Sequence, residues 1–143
     1  MSDGLYFEDL SVGQSASFGK TITEADILLF AAVSGDTNPV HINAEFAAGT
    51  MFKERIAHGM LSAGLISTVL GTRLPGPGTI YLSQTLKFRA PVRIGDTVTA
   101  TATVSALDAA KKRATLATIC TVNGKTVLEG EAVVLVPSRE ASA

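Results

Sequence analysis

Asp36 and His41 stand five residues apart in the stretch Ser34-Gly35-Asp36-Thr37-Asn38-Pro39-Val40-His41, with an Asn-Pro turn between them. Gly35 before the aspartate and Pro39 before the histidine both punctuate local structure, so neither polar residue belongs inside a long regular helix. Proline fixes its own φ and drives Asn38 toward extended backbone, which stiffens the loop. A carboxylate and an imidazole held on a stiff loop can converge on one water, orient it and move protons to and from it. Asp, Asn, Gly and Pro are also ordinary turn residues, and an Asx-type turn accounts for Asp36 and Asn38 without any chemistry. What weighs toward chemistry is His41, one of only two histidines in the chain, because imidazole changes charge near neutral pH. The other, His58, opens His58-Gly59-Met60 just ahead of a long apolar run.

The elements around these residues follow from periodicity. Residues 6–18 read as a short strand or irregular entry, with a turn at Val12-Gly13. Thr21-Ile22-Thr23-Glu24 offers a capping box with Thr21 as N-cap, and Thr23 with Asp26 offers an alternative start two residues later. Ile27, Leu28, Phe30, Ala31 and Val33 form an apolar face at helical spacing, ending at Ser34-Gly35. Asn43 suits the cap of a short helix over residues 44–48. Residues 56–74 predict a long helix that is apolar on most sides and therefore buried, with many small residues among them. Pro75-Gly76-Pro77-Gly78 closes it. From Thr79 the period becomes two: residues 80–89, 97–107, 114–122 and 126–136 predict strands, the last two joined by the hairpin signal Asn123-Gly124. Helices segregated from strands imply an α+β fold, with a long buried central helix wrapped by an antiparallel sheet of about five strands. One domain over residues 1–137 is expected, with a frayed tail over residues 138–143.

Bulk properties exclude several function classes. The chain has 143 residues, 46% of them hydrophobic, and a positive mean hydropathy, enough for one folded core. A net charge of −1 with no long basic run makes nucleic acid or an anionic membrane a poor partner. Lys111-Lys112-Arg113 reads as a solvated turn between strands. Cys120 is the single cysteine, so it forms no internal disulfide, and its apolar strand context reads as a small buried hydrophobe. One cysteine and two histidines make a structural zinc site a poor fit, and no metal ligands are assigned. The first residues lack the basic region and apolar core of a signal peptide, and no apolar run reaches the ~20 residues of a membrane span, so a cytoplasmic protein is expected.

Residues 30–41, with Ala47 downstream, closely resemble the signature of the (R)-specific enoyl-CoA hydratases within the MaoC-like dehydratase family. The likeness continues through His58-Gly59-Met60-Leu61, the strand from Leu82 to Pro91, and Gly95-Asp96. It spans nearly the whole chain. The resemblance implies a single hot-dog fold that pairs into a homodimer. It also implies syn hydration of a trans-2-enoyl-CoA thioester to the (R)-3-hydroxyacyl product, with no metal or redox cofactor, CoA being part of the substrate. Such a product could feed polyester synthesis or β-oxidation. By matching position, Asp36 and His41 become the catalytic pair and Asn38 supports their loop.

The chemistry fits the residue types independently. Water must add at C3 while C2 gains a proton, and the thioester oxygen carries enolate charge in between. Asp36 is assigned as general base toward water and His41 as its positioning and relay partner. The oxyanion needs preorganised donors, which the N-terminus of the long apolar helix can supply. Gly59 is the candidate backbone donor, because the missing Cβ lets a thioester come close; simple close packing is the competing reading. Ser62, Ala63 and Gly64 suggest room for an acyl chain beside that helix. Lys87, Arg89 and Arg93 are candidates for the CoA phosphates, and His58 is read as holding the loop before the helix. A carrier-protein dehydratase would favour a basic rim, which a near-neutral chain lacks. A thioesterase would place a carboxylate on the central helix, yet residues 56–74 contain no Asp or Glu. A purely acyl-binding module has no use for the Asp36/His41 pair.

Overall fold

Alternating valine, alanine and threonine from Thr97 onward give a strand with one apolar face, and burial of Val98, Ala100, Ala102 and Val104 shows which face is inside. The computed structural model describes residues 3–140. In chain order they form a 3₁₀ turn (Phe7–Asp9), β1 (Ser15–Thr21), α1 (Glu24–Ser34), α2 (Pro39–Ile42), α3 (Ala44–Ala48), α4 (Gly59–Thr72), β2 (Ile80–Gln84), β3 (Lys87–Phe88), β4 (Thr97–Asp108), β5 (Arg113–Val122) and β6 (Lys125–Leu135). The six strands make one sheet in the order β1-β4-β5-β6-β2, with β3 also on β6, and every pairing is antiparallel. The Asn123-Gly124 hairpin is present, with both residues at positive φ.

α4 lies on the inner face of the sheet, against β4, β1 and β5. Its Leu65, Ile66, Val69 and Leu70 are buried against the sheet's inward residues. Ala100 and Ala102 sit under it with almost no exposure, so the strand backbone comes close to the helix. Burying one such aliphatic side chain contributes roughly 1.5–3 kcal/mol, so this layer is the main source of stability. Among the described residues, no helix is long and apolar enough to cross a membrane.

Four boundaries differ from the sequence reading. The capping box is Thr23 with Asp26, not Thr21 with Glu24: Thr21 is the last residue of β1, its hydroxyl is 2.7 Å from that of Thr97, and it is not available to cap. The long helix starts at Gly59 rather than near Ile56, because Ile56 bridges Arg93 and the Ala57 N–H donates to the Val92 carbonyl. The expected single strand over residues 80–89 is two, because the chain at Thr85 crosses Gly130 so closely that a Cβ there would lie 1.8 Å from the Thr85 carbonyl oxygen. Finally, residues 138–140 are tied down: the Arg139 guanidinium donates to Asp9 at 2.8 and 2.9 Å, and the Arg139 main-chain N–H donates to Glu8. Residues 141–143 of the expected tail lie outside the described residues.

Candidate active site

Gly35 ends α1 in the left-handed conformation at φ 79°, which turns the chain out of the helix and sets Asp36 on the following loop. Asp36 Oδ1 then accepts from the Asn38 N–H at 3.2 Å, and Asn38 Oδ1 accepts from the Val40 N–H at 3.1 Å. Asn38 is thus the N-cap of α2, with Pro39 as its first residue. The turn reading and the catalytic reading of this stretch are compatible, since the Asx turn is what orients the carboxylate. One turn later, α2 carries His41 inward to 8% exposure.

His41 Nδ1 lies 2.8 Å from the Ile56 carbonyl oxygen. A carbonyl only accepts, so Nδ1 carries the proton, and in the neutral ring Nε2 is the acceptor. The Arg55 Nε–H donates to the His41 carbonyl at 2.7 Å while its Nη1 bonds Glu24, which fastens α2 to the start of α1. His58 is buried, donates from Nε2 to the Asp36 carbonyl at 2.9 Å, and stacks on His41 with ring centroids 3.9 Å apart. Asp36, His41 and His58 each offer a ligand atom within 4.8 Å of the others. The two rings are stacked at 28°, and each has one nitrogen bonded to a carbonyl.

Asp36 and His41 open onto a cavity of about 680 Å³. Its walls are mostly apolar: Phe30, Met51, Phe52, Ile56 and Met60 on one set of loops and helices, and Phe88, Pro91, Val92 and Leu128 from the sheet side. Gly59 lies at this wall as the first residue of α4, where a helix N–H has no intrahelical partner. A Cβ on Gly59 would sit 2.5 Å from the Phe88 ring, so glycine is needed for the close approach. Ser62 also lines the cavity, from the next turn.

Other expected positions fall elsewhere. Ala63 is in the core under the sheet, and a side chain on Gly64 would meet open space on the far side of α4. Neither borders the cavity of the single chain. Arg89 borders it but pairs with Glu129 at 2.6 Å, and Arg93 pairs with Glu54 at 2.7 Å. Lys87 faces a different groove, beside Thr103 and Ile119. Cys120 packs against α4 with its Sγ 3.6 Å from the Ser62 carbonyl, and burial pushes its thiol up to about 11, so it is an inert core residue. Arg55 and the aromatic walls were not singled out from the sequence. Arg55 has a signal of its own, a lone arginine immediately before an apolar pair and a histidine; the aromatic walls have none, because they come from distant segments.

Residues 10–130 match the family described as MaoC like domain. The chain is 67% identical over 134 residues to an (R)-specific enoyl-CoA hydratase of Rhodospirillum rubrum, covering 94% of this chain and 93% of that one. It is 55% identical over 136 residues to a 3-hydroxybutyryl-CoA dehydratase of Methylorubrum extorquens, covering 95% and 87%. Among solved structures, the unliganded R-hydratase PhaJ1 of Pseudomonas aeruginosa superposes with a TM-score of 0.90 at 48% identity, covering 98% of this chain and 93% of that one. With a hot-dog α+β fold, an Asp/His pair at the mouth of an apolar cavity and likeness of this extent, the chain belongs to the MaoC-like domain family.

Proposed function

We propose that the protein is a hydro-lyase that adds water to a trans-2-enoyl-CoA thioester, giving the (R)-3-hydroxyacyl-CoA, and runs the reverse dehydration as well. The observation that carries this is the placement of the Asp36 carboxylate and the His41 imidazole, within 4.8 Å of one another, where they face an apolar cavity. The carboxylate and His41 Nε2 are both acceptors, so one water can donate a hydrogen to each and present its lone pair to C3. As the C3–O bond forms, Asp36 takes the proton and the C2=C3 electrons move to the thioester oxygen. The Gly59 N–H, at the positive end of the 14-residue α4, holds that oxyanion. The enolate then collapses, and C2 takes a proton from the Asp36/His41 side, which makes the addition syn.

Asn38 acts through the loop it caps. Ser62 borders the acyl chain, and Arg89, exposed at the cavity rim, is the best placed of the three cations for a CoA phosphate. Ala63, Gly64 and Lys87 reach substrate only if a partner subunit extends the site. Exposed apolar residues on the edge strand β2 (Ile80, Tyr81 and Leu82) support a homodimer. Asp36 and His41 supply the base and the relay, so the reaction as read requires no metal or redox cofactor, and a cytoplasmic setting with soluble acyl-CoA suits it. The test is loss of enoyl-thioester absorbance with crotonyl-CoA, followed by chiral analysis of the product. Rapid loss with the (R)-alcohol is the expected result; a stable absorbance with folded protein would overturn the reading.

A further inference from the structure

His58 is 2% exposed and touches both members of the Asp36/His41 pair. The loop that carries Asp36 is otherwise poorly anchored. Every other hydrogen bond made by residues 34–38 is local: Ser34 and Gly35 bond back to Phe30 and Ala31, and Asp36 and Asn38 bond within the turn and to α2. Residues 34–38 are also exposed. Among the described residues, the His58 Nε2–H donated to the Asp36 carbonyl at 2.9 Å is the one hydrogen bond that ties this stretch to the body of the protein. The same ring lies face to face on His41, at 3.9 Å and 28°, with Phe30 packed against it at 4.7 Å. Ile56 fixes one nitrogen of His41, and the stack fixes the plane in which its other nitrogen points.

We propose that His58 is a positioning residue for the hydration: its Nε2–H sets the distance from the Asp36 carboxylate to His41, and its ring face sets the direction of His41 Nε2. This rests on the hydratase reading above. Holding two groups on one water is a demand on geometry, and a misplacement of about 1 Å can cost roughly 100-fold in rate. Among the described residues the buried His58 Nδ1 has no hydrogen-bond partner, so the ring is held by its donor nitrogen and its face rather than by a hydrogen-bond network on both sides.

The variants separate donor from ring. In His58→Gln the amide nitrogen falls near the position of Nε2 and keeps the bond to the Asp36 carbonyl. The His58→Asn side chain is too short to reach it, and His58→Phe keeps the stack without the donor. With crotonyl-CoA, His58→Asn and His58→Phe are expected to lose roughly 10–100-fold in kcat with KM within about threefold of wild type, and His58→Gln to recover at least about fivefold over His58→Asn. Thermal melting accompanies each assay, and if His58→Phe does not fold, the Gln/Asn pair decides. A folded His58→Asn protein with wild-type kcat, a His58→Gln protein no better than His58→Asn, or a rise in KM at constant kcat would each overturn the proposal. Wild-type protein without hydratase activity would overturn the underlying reading instead. One readout needs no turnover: the imidazole N–H proton of His41, covered in the wild type by the His58 ring, should be seen in the NMR spectrum of the wild type and lost from those of His58→Asn and His58→Gln, both of which lack that ring. The same signal unchanged in both would overturn the positioning role.

Discussion

Replacing Asp36 by asparagine separates the two jobs this residue performs. Asparagine has nearly the same volume, and its Oδ1 can still accept from the Asn38 N–H that now bonds Asp36 Oδ1 at 3.2 Å. The tie to His58 uses the main-chain carbonyl, so it survives as well. Asp36 is exposed and makes no ion pair among the described residues, so folding stability should change by under ~0.5 kcal/mol. What disappears is the basic oxygen proposed to take the proton from water. General acid–base groups contribute roughly 10²–10⁴-fold, which at about 1.36 kcal/mol per tenfold is ~2.7–5.4 kcal/mol of barrier. A loss in kcat of that size, against an unchanged urea midpoint, is the expected pair of results with crotonyl-CoA. Asp36→Ala supplies the contrast, because it removes the turn acceptor too and should lower stability as well as rate. Turnover of Asp36→Asn within about fivefold of wild type would refute the assignment of Asp36 as base, and a fall in stability parallel to the fall in rate would refute the claim that the turn is preserved.

Ser62→Leu adds bulk to the cavity wall one turn into α4, and the preference among enoyl-CoA substrates should move to shorter chains by roughly 10–200-fold per excluded methylene; an unchanged profile from folded protein would remove Ser62 from the acyl pocket. Cys120, held up at about 11 against an ordinary 9.0 by burial, binds its proton more tightly folded than unfolded. Its contribution to stability is therefore complete below about pH 9 and lost as pH rises toward 11, and a thiol reagent at neutral pH should label it only as fast as the chain unfolds. At the other end of the scale, the Arg139 N–H holds the carboxyl of Glu8 below its usual range and the Arg139 guanidinium does the same for Asp9. Lowered carboxylates stabilise the folded state at neutral pH and lose that effect as pH falls through their folded values, so the chain end should become sensitive to carboxypeptidase under acid, and Arg139→Ala should show that sensitivity already at neutral pH.

Much of the fold is legible because the periodicities are clean. The alternation in β4 and β5, the Asn123-Gly124 turn and the apolar small-residue run of α4 each have a local cause. What escaped was decided by contacts between distant segments. Thr21 makes a good N-cap on local chemistry, yet pairing with Thr97 takes it into the sheet. Residues 56–58 have helical composition, yet Ile56 and Ala57 are recruited as extended backbone by Arg93 and Val92. The break at Thr85 depends on Gly130, 45 residues further along the chain, and no window around residue 85 contains that information. The tail is held by Asp9, at the opposite end of the sequence. In the site, the Asp36/His41 pair is legible since turn chemistry and spacing are local. The cavity walls are not, since they come from five separate stretches.

The same division explains how the site is held. The dyad lies within six consecutive residues, but its geometry is imposed by the stretch 55–58. Arg55 holds the His41 carbonyl, the Ile56 carbonyl holds the His41 ring, and His58 holds the Asp36 carbonyl. The Ile56 N–H in turn donates to Val40, so the two segments are laced by main-chain and side-chain bonds together. Gly59 follows at once and offers its N–H at the start of α4, with the buried helix behind it as a rigid support. The proposed water activation and oxyanion binding are thereby referenced to one short piece of backbone. In the proposed reaction the relative placement of base, relay and oxyanion donor is therefore set by residues 55–59, a stretch that is itself pinned across the site by the Ile56–Arg93 bridge and by the Ala57 N–H donated to the Val92 carbonyl.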